Sequence, residues 1–366
     1  MPADSIGQLL LTGIPGPELD TETAKKLKAI QPGGFIIFGR NIKTPEQLRK
    51  LIDDLRDLSE LEPIITIDQE GGRVSRLRLI GQEPPNAQQL REKGDLDLIR
   101  RHGTLTGEIL RLYGFNLDLC PVLDLAFDDE ADNSLKGRCY GKNVPEVVAK
   151  AGAFNAAMRE AGVLSCGKHF PGYAAAEVDP HHEVPVIDRC RAELEAEELA
   201  PFRQLADELD SLMVCHSIFN AFDTERPASL SPAIITDLLR KEMQYRGLLM
   251  TDDLDMGAIL NTTPFDETMV RALEAGNDLL MICHRVEMGE AALAAVDAKA
   301  DRAAIERAFE SIGRFKRHLS PPTEFSAERV NEVNEAIWDL RVAVLGEEKA
   351  RESSPEDGKR SPVELY

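Results

Sequence analysis

No two cysteines of this 366-residue chain sit at CxxC spacing; Cys120, Cys139, Cys166, Cys190, Cys215 and Cys283 are scattered. A zinc ribbon or disulfide framework is therefore not expected. Several lie inside apolar runs, as in "SLMVCHSIF" and "LLMICH", where buried reduced thiols of a cytoplasmic protein are the simplest expectation. Basic charge is also short. The 43 Lys and Arg face 64 Asp and Glu, for a net charge of −21, which argues against a nucleic-acid or anionic-membrane partner. No apolar run of about 18 residues exists, so no transmembrane helix is expected. The N-terminal "MPADSIGQLLLTG" lacks a basic segment, so a signal peptide is not expected either. No GxGxxG or GxxxxGKS/T follows the first apolar run, which leaves a nucleotide site without support.

What is present is alternation. Eight short apolar runs recur at 9–14, 34–39, 63–68, 115–125, 162–169, 211–217, 247–253 and 278–284. Runs this short and this continuously apolar suit parallel strands buried on both faces. Helical patterns lie between most of them. In "TPEQLRKLIDDLRDL" (44–58) Thr44 can cap, Pro45 fits the first turn, and Leu48, Leu51, Ile52, Leu55 and Leu58 share a face. Further helices are expected in 144–162, 192–209, 231–247 and 264–276, the last two ending at Gly247 and Gly276. The pattern predicts an α/β fold, a single TIM-like (β/α)8 barrel over 1–346 with extra C-terminal helices. An open doubly wound sheet is the alternative. The polar segment 347–366 reads as a disordered tail.

In a barrel, catalytic groups sit at the C-terminal ends of strands. Asp68 follows "IITI", Lys168 and His169 follow "LSCG", His216 comes just after "LMVC", and Asp252 and Asp253 follow "GLLMT". A carboxylate there can be nucleophile, general base, metal ligand or helix cap. Two adjacent aspartates allow one to face the pocket while the other caps or pairs with a base. The loop "KHFPGYAAAEVDPHHEVP" (168–185) holds three of the seven histidines. In it Asp179 can orient His181 across a stiffening Pro180 for general acid–base work. Metal binding has no HxxxH or HExxH spacing behind it, so no metal is expected. Lys168 is costly in a buried position unless paired, and with His169 it suits a polyhydroxyl or anionic ligand. "EGGR" at 70–73 reads as a glycine turn.

These stretches carry a resemblance. "IDQEGGRVSRL" (67–77), "KHFPGYAAAEVDPHHEVP" (168–185), "RPASLS" (226–231) and "LLRKEMQYRGLLMTDDLDM" (238–256) resemble family 3 glycoside hydrolases. The match is to the single-domain bacterial β-N-acetylglucosaminidase (β-hexosaminidase) branch of cell-wall recycling, and covers roughly residues 8–285. The resemblance implies a retaining, two-step glycosidase acting on a carbohydrate without cofactor or metal. It implies Asp252 as nucleophile, and His181 with its dyad partner Asp179 as acid/base. It further implies Asp68, Arg76, Arg138, Lys168 and His169 as groups holding the sugar. A cytoplasmic monomer or weak oligomer is expected, with no nucleic-acid or membrane partner.

The chain departs from the family pattern at Tyr173 and Ala174, where the family carries His and Gly, and at Pro180, where the dyad has Ser. A second histidine, His182, leaves open which imidazole delivers the proton. A β-glucosidase or a glycoside phosphorylase on the same scaffold is the alternative activity.

Overall fold

Eight short apolar segments, each unable to bury two faces alone, close on one another as a parallel barrel. They are β1 (Leu10–Gly13), β2 (Gly34–Ile37), β3 (Ile64–Ile67), β4 (Leu117–Asp118), β5 (Leu164–Phe170), β6 (Ser211–Val214), β7 (Leu248–Asp253) and β8 (Leu279–Ile282). Each pairs with the next, and β8 returns to β1 through Leu10–Leu280. The computed structural model describes residues 5–130, 134–176, 184–256, 259 and 264–354. Every apolar run expected to be a strand contributes one, and the expected barrel is what the chain forms.

Two interruptions in the pairing sit where chemistry was expected. The register of β5 against β6 shifts between Gly167 and Phe170, and that of β7 against β8 shifts between Met250 and Asp253. Such irregularities re-aim side chains near active sites. Lys168, His169 and Asp252 all fall within them.

The outer helices follow local rules. Pro45–Asp57 is capped by Thr44, whose hydroxyl accepts from the Gln47 amide at 3.2 Å, and it buries Leu48, Leu51, Ile52 and Leu55. Helix Leu96–Tyr113 meets Val144–Glu160 closely: a Cβ on Gly103 would lie 2.3 Å from the Phe154 carbonyl. Two helices, Gly289–Lys299 and Arg302–Lys316, follow β8, and Ala327–Leu345 comes after them.

Three sequence expectations need correction. The regular strand in the run 115–125 covers only Leu117–Asp118; Pro121 has no N–H to give to a ladder, and pairing with β5 resumes beyond it as an isolated bridge between Val122 and Lys168. The helix expected over 192–209 is divided into Arg191–Ala196 and Leu199–Leu205. The helix expected to stop at Gly247 ends at Glu242, and Gln244 takes the left-handed conformation at φ 58°. Segment 347–354 includes a short helix, Glu347–Ala350, and Ser354 Oγ donates to Glu83 at 2.6 Å. Among the described residues no helix is long and apolar enough to cross a membrane.

Candidate active site

The C-terminal ends of β3, β4 and β5 converge on one line of alternating charge. Lys168 Nζ lies 2.7 Å from Asp68 Oδ1 and 2.7 Å from Glu70 Oε1. Glu70 in turn receives Arg138 as a fork: Nε donates to Oε2 at 2.8 Å and Nη2 to Oε1 at 2.7 Å. Arg76 Nη2 stands 3.6 Å from the other oxygen of Asp68. At the far end Arg138 Nη2 reaches His169 Nε2 at 3.3 Å, and His169 Nδ1 donates to Asp124 Oδ2 at 2.8 Å. Asp124 also accepts the backbone amides of His169 and Tyr173 at 3.0 and 2.9 Å. All five residues implicated in holding a sugar therefore meet: Asp68, Arg76, Arg138, Lys168 and His169.

The line is buried, so its electrostatics are strong. Burial alone would push the Glu70 carboxyl up, but Arg138 and Lys168 outweigh it and hold it well below the usual carboxylate range. Burial would likewise strip the proton from Lys168, yet Asp68 and Glu70 hold it above its ordinary value. Beside them, burial pushes Asp118 up to about 8. Its Oδ1 accepts from the Gln69 amide at 3.0 Å, while Oδ2 has no hydrogen-bond partner among the described residues.

The end of β7 is a different environment. Asp252 is partly exposed, and its Oδ1 accepts the Asp253 amide at 2.8 Å. Asp253 turns inward: Oδ1 accepts the amides of Asp255 and Cys283, each at 3.1 Å, and Oδ2 lies 3.6 Å from His284 Nε2. Burial, with Asp255 and Asp252 adding to it, pushes the Asp253 carboxyl up to about 8. The two aspartates thus divide as the sequence allows, one partly exposed and one turned inward. His216 is buried beneath them. Its Nε2 donates to the Asp253 carbonyl at 3.0 Å and its Nδ1 meets Ser229 Oγ at 2.7 Å. Ser229 belongs to "RPASLS", so that motif braces the tip of β7.

The two environments adjoin. Burial pushes the Tyr173 phenol up; Arg138 opposes this, while Asp124 and Asp252 both reinforce it. Tyr173 stands with its ring 5.0 Å from that of His169, and its hydroxyl is 2.9 Å from Ser134 Oγ. Asp252 and Asp68 both act on the buried Cys283 thiol, which burial raises first and Asp253 and Asp255 raise next. The ensemble is the partly exposed Asp252 carboxyl and a fixed row of paired charges, at the end where a barrel opens. Asp179, His181 and His182 lie outside the described residues.

The model of the glycosyl hydrolase family 3 N-terminal domain matches residues 3–314. The chain belongs to glycosyl hydrolase family 3. It is a glycoside hydrolase, and curated relatives of this hydrolase carry the name β-hexosaminidase. The one from Alkalilimnicola ehrlichii is 36% identical over 291 residues, 78% of this chain and 83% of that protein. The one from Pseudomonas aeruginosa is 33% identical over 288 residues, 78% of this chain and 86% of that protein. Among solved structures, the family 3 β-N-acetylglucosaminidase of a Paenibacillus species superposes with a TM-score of 0.84 at 31% identity. It covers 92% of this chain and 68% of that one. NagZ from Neisseria gonorrhoeae has a TM-score of 0.79 at 26% identity and covers 92% of this chain and 97% of that one.

Within this family 3 enzyme, two residues of the cluster escape sequence reasoning: Glu70 and Asp124. Glu70 sits in "EGGR", which reads as a turn, and the turn is real. Gly71 has φ +106° and a Cβ there would meet the Pro85 carbonyl at 2.4 Å. The turn conceals the acid that precedes it. Asp124 is hidden because 115–125 reads as a strand; it lies just past the Val122–Lys168 bridge, outside the regular strand Leu117–Asp118. An acid soon after an apolar run is the signal that selects Asp68, and it applies to Glu70 as well.

Proposed function

We propose that this hydrolase is a retaining, exo-acting β-N-acetylhexosaminidase that removes terminal N-acetylglucosamine from peptidoglycan-derived or other β-glycosides. The observation that carries the reading is the donor row Arg76, Lys168, Arg138 and His169 on the same barrel mouth as the partly exposed Asp252 carboxyl. The names of its relatives agree with it, as does the NagZ structure from Neisseria gonorrhoeae, which was solved with N-trifluoroacetyl-D-glucosamine.

The chemistry proceeds in two displacements. The sugar hydroxyls bind across Asp68, Arg76, Arg138, Lys168 and His169, which fixes the ring with its anomeric carbon over Asp252. The His181 imidazolium, oriented by Asp179, gives its proton to the glycosidic oxygen. An Asp252 oxygen bonds to the anomeric carbon as the carbon–oxygen bond breaks, and the aglycone departs as an alcohol. The now neutral imidazole takes a proton from water, and the hydroxyl oxygen attacks the same carbon. Asp252 leaves as a carboxylate, with the β configuration restored. Retaining enzymes keep their two carboxyl groups about 5–5.5 Å apart; an imidazole carried on a loop is not bound by that spacing. Six free cysteines, five of them buried, support a reducing, cytoplasmic setting.

The test is hydrolysis of p-nitrophenyl N-acetyl-β-glucosaminide followed by proton NMR. The reading expects β-N-acetylglucosamine as the first sugar product, at a rate unchanged by inorganic phosphate. A sugar phosphate as product would favour the phosphorylase, and preference for the glucoside would favour a β-glucosidase. The α-anomer as first product would overturn the mechanism.

A further inference from the structure

We propose that Glu70 is the positioning residue of the sugar site, holding the Lys168 ammonium and the Arg138 guanidinium side by side so that both cations face one ligand. The inference rests on the function proposed above and adds a residue and a role to it.

Lys168 Nζ and Arg138 Nη2 each lie 2.7 Å from the same oxygen, Glu70 Oε1. Two unit positive charges sharing one atom repel strongly in a buried site, and they stay together only if an anion lies between them. Glu70 is that anion. Its side chain is 6% exposed, and its second oxygen is taken by Arg138 Nε at 2.8 Å. Lys168 has a second carboxylate, Asp68, at 2.7 Å. The only carboxylate paired with Arg138 among the described residues is Glu70; its further contacts are the Ser134 carbonyl at 3.3 Å and His169 Nε2. Asp68 therefore cannot replace Glu70.

The backbone fixes where the carboxylate stands. Glu70 lies in a two-stranded hairpin, Gln69–Gly71 with Val74–Ser75. The Gln69 side chain locks that hairpin, donating to Ser75 Oγ at 2.8 Å and accepting the Leu77 amide at 3.2 Å. Asp118 receives the Gln69 backbone amide at 3.0 Å. A carboxylate on so constrained a loop, with both oxygens committed to cations, directs the one remaining N–H of Lys168 and the one remaining N–H of Arg138 toward a ligand. A neutral amide of the same shape fails electrostatically, because its NH2 would point at a cation.

The experiment compares Glu70→Gln and Glu70→Asp with wild type. It reads p-nitrophenyl N-acetyl-β-glucosaminide kinetics from pH 5.5 to 9.5, the melting temperature, and the pH titration of Lys168 in protein carrying 13C-labelled lysine. Glu70→Gln is expected to raise KM by about tenfold or more, with a smaller change in kcat. It should also introduce an alkaline loss of binding, because Lys168 then releases its proton at lower pH. Glu70→Asp keeps the charge on a shorter arm and is expected to recover part of KM and to remove the alkaline loss. It also serves as the test if Glu70→Gln does not fold. The inference is overturned if folded Glu70→Gln keeps the wild-type KM and pH profile, or if both variants lose activity equally at every pH in step with melting temperature. The Lys168 titration needs no turnover. A wild-type enzyme inert on N-acetylglucosaminides would sink the functional reading, while the lysine titration would still decide the role of Glu70.

Discussion

The two sides of the barrel mouth handle buried carboxylates in opposite ways. On the β3–β5 side Asp68 and Glu70 are interleaved with Arg76, Lys168 and Arg138. On the β7–β8 side Asp253 and Asp255 are satisfied mostly by backbone amides, and the buried His216 donates to a carbonyl. The first side is an ionic lattice that holds Glu70 and Lys168 in their charged forms. The second crowds acids together until burial and mutual repulsion hold a proton on Asp253. A lattice of fixed charges suits recognition of a polyhydroxyl ring. A partly exposed carboxylate, with its neighbour neutral, suits attack on an electron-poor carbon.

The sharpest way to break this comparison is Asp252→Asn. The account expects kcat on an aryl N-acetylglucosaminide to fall by on the order of 10^4-fold with the fold intact; a residual rate within tenfold of wild type would assign the open carboxylate no chemical role. Next comes Lys168→Ala, which leaves Asp68 and Glu70 buried without their shared cation. Breaking a buried ion pair from one side costs about 3–5 kcal/mol. Urea denaturation at pH 7 should show that loss, and a change under 1 kcal/mol would mean the lattice is not an energetic unit.

The third effect is a difference of sign. Asp253 has a folded value of about 8 against 3.8 for an ordinary aspartate. Its stabilising contribution is present below 3.8 and is lost as pH rises through 8, at up to about 1.4 kcal/mol per pH unit. Asp253→Asn should therefore gain on wild type as pH goes from 4.5 to 8, read as the difference in denaturation midpoints. Glu70 runs the other way. Held below 4.5 by its cations, it contributes above 4.5 and loses that contribution as pH falls. Parallel slopes for the two sites would erase the distinction. The smallest effect is Ser229→Ala, which removes one neutral hydrogen bond from His216 and should cost about 1 kcal/mol, measured as a melting shift.

The sequence also separates these two sides in legibility. Strand positions are readable because a barrel strand is apolar on both faces, so "GFIIFG" and "DLLMICH" announce themselves and strand ends follow directly. Asp68, Lys168, His169 and Asp252 are readable for the same reason. The lattice that links them is not, because it depends on which acid meets which base across loops far apart in sequence. Glu70 lies 68 residues from Arg138, and nothing local in "EGGR" foretells that meeting. Asp124 disappears into an apolar run that stops being a strand after two residues. The helix over 192–209 breaks at Glu197, four residues before Pro201, whose ring leaves the Glu197 carbonyl without its helical N–H partner.

The central claim is that Asp252, beside the charged lattice, is the nucleophile that bonds transiently to the anomeric carbon. It is tested most directly by trapping the intermediate with a slow fluorinated N-acetylglucosaminyl donor and sequencing the labelled peptide by mass spectrometry. The account predicts one N-acetylhexosaminyl adduct on Asp252, formed in wild type and absent from Asp252→Asn. An adduct on another residue, or turnover of the donor by Asp252→Asn, would contradict it.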